Sequence, residues 1–440
     1  MNNKKWMAIL LGGIMAASLA APCSVSAAEK TTLTFWHAMG GTNGEVLQQI
    51  VDDFNASQDE IEIKAEYQGT YDDTITKLKA AMQSDSGLPD VCQMYDVGTK
   101  FMYDSGAVIP VEDKFESTGY DKSSVMEVIS SYYTVDGKQY AMPFNVSTPM
   151  LYYNKDVFEA AGLDPETPPT TYDEVLEDAK KIVESGAAPV GYSQAIYGWF
   201  FEQQLAGLGV TYGNNDNGRK EAVTAVDFDS NGGGLKVFDM WKKLYDSGYF
   251  EDYGTTTADT QTAFFSGQVG MFIESTVILK NAVDSSPFEV GTGYLPRIEQ
   301  NDEGGVIIGG GSLWLTDTGN EANEDAAWKF IEYITTPDVQ AKWSMGTGYF
   351  AINEKAYETD DMKAYLKENP NFETAINQLK DSPVNCNTAG VLSGVQTEAR
   401  LTFNEIMPQV YDGKLTTQDA VDQLAASVNK AIENYNESIK

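Results

Sequence analysis

Only three arginines, Arg219, Arg297 and Arg400, stand among the 30 basic residues of a chain that carries 65 acidic ones. In so acidic a chain a guanidinium is the natural means of holding a phosphate or carboxylate through paired hydrogen bonds. A second candidate is the run Gly309, Gly310, Gly311, which enters Ser312 after an apolar strand. Glycine lets backbone N–H groups approach an oxyanion, and several aimed inwards form an anion nest, although a strand-end bulge would use the same residues. Hydrolytic and metal chemistry find less support. His37 is the single histidine, and no GxSxG motif accompanies it, so it is expected to order the edge of a site rather than act as a base. One histidine and two distant mature-chain cysteines make no zinc set, and no metal or cofactor is expected. Asp227, Asp229, Asn231 and Gly232 imitate the opening of a calcium loop, but Phe238 fills the twelfth position, where calcium needs a bidentate acid. That stretch reads as a helix-entry turn. No Walker-type phosphate loop is present, so nucleotide hydrolysis is not expected.

The elements that must position these residues follow from periodicity. From Thr31 the order is strand, helix (Val46, Leu47, Ile50, Val51 and Phe54 on one face), strand at 61–67, helix at 74–82 and strand at 91–95. Alternation at this spacing predicts βαβ units and a mainly parallel sheet. Residues 143–186 read as a polar passage, a buried strand at 150–153, a short helix at 155–161 and a second helix. Thr171 and Glu174 have capping-box spacing, Val175, Ala179, Ile182 and Val183 share an apolar face, and Gly186 ends the helix. Pro143 and Pro149 bracket Asn145, Val146, Ser147 and Thr148, so the backbone is stiff while small hydroxyl side chains stay free, as suits a chain crossing between two lobes. The chain is expected to return near Glu289 and to cross a third time at 346–352. The expected organisation is a signal segment at 1–28, one discontinuous lobe at 29–142 and 290–345, and another at 143–289 and 346–440.

Length and composition agree. A chain of 440 residues with 42% hydrophobic content can bury two cores, and its net charge of -35 argues against nucleic acid or an anionic membrane as partner. Lys4 and Lys5, an apolar run from Trp6 and the small residues Val25, Ser26 and Ala27 form a secretory signal, cleaved near Ala27 or Ala28. Lipid attachment at Cys23 is the alternative, which Pro22 and the position of Leu19 fit poorly. No later apolar run reaches the roughly 20 residues of a membrane span, so the mature chain reads as soluble. Cys92 and Cys386 could pair in an oxidising compartment but read better as free thiols in so large a domain.

Several blocks together carry a resemblance: FWHAM from Phe35, YQGTYDDT from Tyr67, MYDVGT from Met94, the PFN-ST-P-LYYNKD stretch from Pro143, IIGGGSLW from Ile307 and GTGYFAI from Gly346. The sequence resembles the extracellular solute-binding proteins of ABC importers and, within them, the glycerol-phosphate binders. The resemblance implies an α/β two-lobe periplasmic-binding-protein (Venus-flytrap) fold with a three-segment hinge. It also implies a monomer that is not an enzyme and that hands a glycerol phosphate ester to the permease of an ABC importer. It places ligand contacts at Tyr71, Asp96, Ser147, Trp199, Ser275, Gly310, Tyr349 and Arg400, with Arg400 on phosphate and Asp96 on ligand hydroxyls. The chain departs from the family where it has Asp96 in place of the glutamate of many relatives, and where Tyr197 replaces a second tryptophan. The surroundings of Ser275 match least, and Thr276 could replace it. Rival readings are a sugar or oligosaccharide binder of an ABC importer, for which Arg400 would be structural, and a secreted glycoside hydrolase, since 65 acidic residues can always supply a carboxylate pair.

Overall fold

The structure, a computed structural model, describes residues 30–84 and 87–439; the expected signal segment, with Cys23, lies outside the described residues. Its strands are β1 (Thr31–His37), β2 (Ile61–Tyr67), β3 (Val91–Tyr95), β4 (Val108–Ile109), β5 (Thr134–Val135), β6 (Lys138–Gln139), β7 (Met142–Ser147), β8 (Pro149–Asn154), β9 (Val190–Ser193), β10 (Val269–Ser275), β11 (Val290–Gly293) and β12 (Gly309–Thr316). One sheet runs β2-β1-β3-β12-β4 with β7 also paired to β12, a second runs β11-β8-β10-β9, and β5 and β6 form a small hairpin.

Local chemistry explains most elements. β1 alternates buried and half-buried positions from Leu33 on, and helix Gly41–Ser57 buries Leu47, Ile50, Val51 and Phe54. Helix Tyr172–Ser185 starts at the expected capping box and ends where Gly186 takes φ 77°. The helix expected at 74–82 instead spans Tyr71–Met82, because Thr70 and Asp73 form a second reciprocal capping box. This start puts Tyr71 at the first helical position, at the edge of the first sheet.

The expectation of a mainly parallel sheet needs correction. β1 pairs in parallel with β2 and β3, but β12 runs antiparallel to β3, β4 and β7, and in the second sheet only β9 and β10 are parallel. β12 enters from the second sheet rather than through a helix on the same sheet, so no right-handed crossover constrains its direction. The backbone passes between the sheets at Thr148, which separates β7 from β8, and again between β11 and β12. After helix Pro337–Thr347, Phe350 N donates to Val146 O at 2.9 Å, which sets a third segment beside the first.

Leu151, Tyr153, Met271 and Ile273 join a core with helices Gly198–Gly207, Gly233–Asp246, Gln396–Tyr411 and Thr417–Ser438. Tyr152 and Phe272, on the other face of the second sheet, join the core of the first. Cys92 and Cys386 are free. The calcium-like stretch is a turn: Asp227 accepts from Thr211 and Gly232 caps helix Gly233–Asp246. No described helix is long and apolar enough to cross a membrane.

Candidate functional site

The site lies where the ends of β3, β7 and β12 meet helices Gly198–Gly207 and Gln396–Tyr411. A Cβ on Gly198 would sit 2.5 Å from Arg400 Cα, so only glycine permits this helix crossing. Gly198 N also donates to Asn404 Oδ1 at 2.9 Å, locking the crossing. One turn on from Gly198, Glu202 therefore faces Arg400.

Arg400 is held in a double grip. Its Nε and Nη2 donate to Glu202 Oε1 and Oε2, each at 2.7 Å, a bidentate pair. Its Nη1 donates to the Tyr95 hydroxyl at 2.8 Å, and Nη2 lies 3.5 Å from Asp96 Oδ2, an ion-pair separation rather than a good hydrogen bond. Arg400, Glu202 and Asp96 are all buried. Two carboxylates thus share one guanidinium, and burial pushes the Asp96 carboxyl up to about 6, with Arg400 pulling down and Glu202 pushing up. Asp96 Oδ1 also accepts from Val97 N at 2.7 Å, at the turn that ends β3.

Aromatic rings and amides build the remaining wall. Tyr71 stacks on Tyr95 with ring centroids 4.6 Å apart, and the Tyr95 and Tyr197 hydroxyls are 3.2 Å apart. Asn145 Nδ2 donates to the Tyr71 hydroxyl at 2.7 Å, while Asn145 Oδ1 accepts from Gln93 Nε2 at 2.6 Å. Tyr349 joins this group: burial raises its hydroxyl, against hydrogen bonds to Asn145 and Tyr71. Trp199 is buried with its Nε1 donor unpartnered.

The glycine run is ladder rather than an open loop. Gly309, Gly310 and Gly311 pair with Ser147, Val146 and Asn145 of β7, and the register shifts between Gly311 and Ser312, which is the bulge reading. Each glycine is demanded by a close approach. A Cβ would meet the Trp199 ring at 2.7 Å from Gly309, Asn145 O at 1.9 Å from Gly310 and Asn145 Oδ1 at 2.8 Å from Gly311. Gly310 also has φ 105°.

Of the expected residues, Tyr71, Asp96, Trp199, Gly310, Tyr349 and Arg400 come together in this cluster, and Ser147 lies in register with Gly309. Ser275 bonds locally instead. Its Oγ accepts from Val277 N, while neighbouring Thr276 bonds Thr148 through its N and Oγ1. The rings expected to be exposed for stacking are instead half-buried (Tyr71) or buried (Trp199, Tyr349). His37 is buried at the end of β1, where its Nδ1 accepts from Met39 N at 3.3 Å and burial pulls it down to about 4. Sequence reasoning missed Glu202, Tyr95, Asn145 and Gln396. Glu202 left one signal, a lone carboxylate in the otherwise charge-free helix GWFFEQQLAG.

Comparison with known proteins fits this geometry. A family model described as bacterial extracellular solute-binding protein matches residues 49–374. The sn-glycerol-3-phosphate-binding periplasmic protein UgpB of Escherichia coli K12 is 31% identical over 417 residues, covering 93% of this chain and 94% of that protein. The crystal structure of the cyclic alpha-maltosyl-1,6-maltose binding protein from Arthrobacter globiformis superposes with TM-score 0.77 at 25% identity, over 92% of this chain and 100% of that one. UgpB from Mycobacterium tuberculosis, in complex with glycerophosphocholine, superposes with TM-score 0.78 at 20% identity, over 92% and 99%. With a family match across most of its length and the two-lobe α/β fold of its relatives, the chain belongs to the bacterial extracellular solute-binding proteins and serves as the substrate-binding component of an ABC importer.

Proposed function

We propose that this protein captures a phosphate ester of glycerol, sn-glycerol 3-phosphate or a glycerophosphodiester, between its two lobes and delivers it to the membrane-spanning subunits of its importer. The observation that carries the reading is Arg400, whose inner edge is fixed by Glu202 while its outer edge points across the gap at Tyr95 and Asp96. When the lobes part, that outer edge loses its partners and can take phosphate oxygens. Asp96 then turns to the glycerol hydroxyls, and the orphan Trp199 Nε1 gains an acceptor.

Tyr71, Ser147, Ser275 or its neighbour Thr276, Gly310 and Tyr349 complete the proposed contacts. The proposed lobes are residues 29–142 with 290–345 and residues 143–289 with 346–440, which the two sheets follow except that β7 (Met142–Ser147) belongs to the first sheet and β11 (Val290–Gly293) to the second. Ligand stabilises the closed form, which presents both lobes to the permease. The protein acts outside the cytoplasmic membrane as a monomer, after cleavage of the signal near Ala27.

The buried surplus of carboxylate favours one second reading, a neutral sugar whose hydroxyls satisfy Asp96 while Arg400 stays structural. Calorimetry with sn-glycerol 3-phosphate, glycerophosphocholine and maltose separates the two. Binding of the esters, lost in Arg400→Ala and kept in Arg297→Ala, supports the phosphate reading. Binding of maltose alone, or equal loss in both variants, overturns it. Incubation with glycans should release no products.

A further inference from the structure

We propose that Glu202 sets the ligand charge the site accepts, so that a phosphodiester monoanion binds in preference to a phosphomonoester dianion. This rests on the phosphate-ester reading above and narrows it to one ligand class.

A guanidinium has five N–H donors. Glu202 takes two of them, at 2.7 Å each, and leaves three: the pair on the outer edge formed by Nη1 and Nη2, and a second Nη1 N–H that points back beside the arginine's own Cδ. That edge presents two parallel donors, which match two oxygens. A phosphodiester has two non-bridging oxygens and one charge. A monoester has three and, above its second pKa of about 6, nearly two charges. The third oxygen and second charge would face Asp96 and Glu202, both buried beside the same guanidinium. Buried like charges without a counter-ion are costly.

No second cation of the described residues relieves them. Arg219 spends its donors on the carbonyls of Tyr132, Thr134, Ala389 and Gly390; Lys100 is paired with Asp104; Arg297 is exposed. The other side-chain donors named in the cluster, the Tyr71, Tyr95, Tyr197 and Tyr349 hydroxyls, Asn145 Nδ2 and Trp199 Nε1, are neutral. Nor can Glu202 withdraw, because Gln396 Nε2 donates to its Oε1 at 2.9 Å and Gly198 holds its helix against that of Arg400.

The test is calorimetry at pH 8 on the mature protein with sn-glycerol 3-phosphate and its methyl diester, which share the glycerol and differ in charge. The wild type should bind the diester at least tenfold more tightly, about 1.4 kcal/mol. Glu202→Gln, close in volume and still able to accept from Arg400 Nε, should move the diester-to-monoester ratio about tenfold towards the monoester. Asp96→Asn, which leaves the inner edge of Arg400 untouched, should move it the same way. Melting curves confirm that each variant is folded. If the wild type binds the monoester as tightly as the diester, or if both variants lose the two ligands in equal proportion, Glu202 only positions Arg400 and the inference falls while the phosphate-ester reading stands. If neither ester binds and maltose does, that reading falls with it.

Discussion

Arg400 and Arg219 are both drawn into the protein, yet they are satisfied in opposite ways. Arg400 meets two carboxylates and a tyrosine hydroxyl. Arg219 meets only backbone carbonyls, at Tyr132, Thr134, Ala389 and Gly390, and lies over the Tyr132 ring with its guanidinium carbon 5.3 Å from the centroid. Burial lowers Arg219 to about 10, because no carboxylate offsets it. Burial acts on Arg400 in the same sense, but Glu202, Tyr95 and Asp96 more than reverse it. The turn leading to Arg219 is strained as well: Asn215, Asp216 and Asn217 all have φ between 56° and 58°. A cation satisfied by fixed carbonyls ties three segments together. One satisfied by carboxylates and a hydroxyl from separate elements is placed to exchange them for a ligand's oxygens, as the proposed function requires.

Breaking Arg400 should have the largest effect. Arg400→Ala leaves Glu202 and Asp96 buried without their counter-ion and should lower stability by about 3–5 kcal/mol in denaturant unfolding, while ester affinity falls at least 100-fold by the same logic of removed charge-assisted bonds. Next come the two titrating groups around the site, which oppose each other. The folded-state value of Asp96, about 6, lies above its ordinary 3.8, so its contribution to stability grows as pH falls from 6 to 4. The folded-state value of His37, about 4, lies below its ordinary 6.5, so its contribution is lost as pH falls through the same range. Between pH 6.5 and 4, Asp96→Asn should therefore lose about 3 kcal/mol relative to wild type, and His37→Gln should gain about 2–3 kcal/mol, in unfolding titrations at each pH.

Arg219→Met sharpens the contrast from the other side. It should cost about 2 kcal/mol of stability through the carbonyls it strands, while the diester-to-monoester ratio stays at the wild-type value. Arg297→Ala should be smallest, within about 0.5 kcal/mol in stability, because the side chain is exposed.

Legibility divides along the same line as these arginines. The capping box at Thr171 and Glu174, the buried face of helix Gly41–Ser57 and the glycine run before Ser312 can all be read from nearby residues. The start of the helix at Tyr71 is equally local, since Thr70 and Asp73 have the spacing of a cap, although the apolar periodicity alone points three residues later. The antiparallel course of β12 is not local, because it depends on where the chain comes from rather than on what β12 contains. The resemblance singles out Tyr71, Asp96, Trp199 and Arg400, but their neighbours Tyr95, Asn145 and Glu202 come only with the packed structure.

By itself the sequence determined the caps, the amphipathic faces, the acidity and the rarity of arginine, since each is a property of residues within a few positions of one another or of composition. The tertiary structure alone decided what Arg400 touches. Glu202 is 198 positions from it in the chain and Asp96 is 304, and only the glycine-permitted crossing of two helices and the packing of that pair against the end of β3 bring them into ion-pair contact. Electrostatic partnership in a dry interior is set by a few ångströms of packing, and no local pattern encodes that distance.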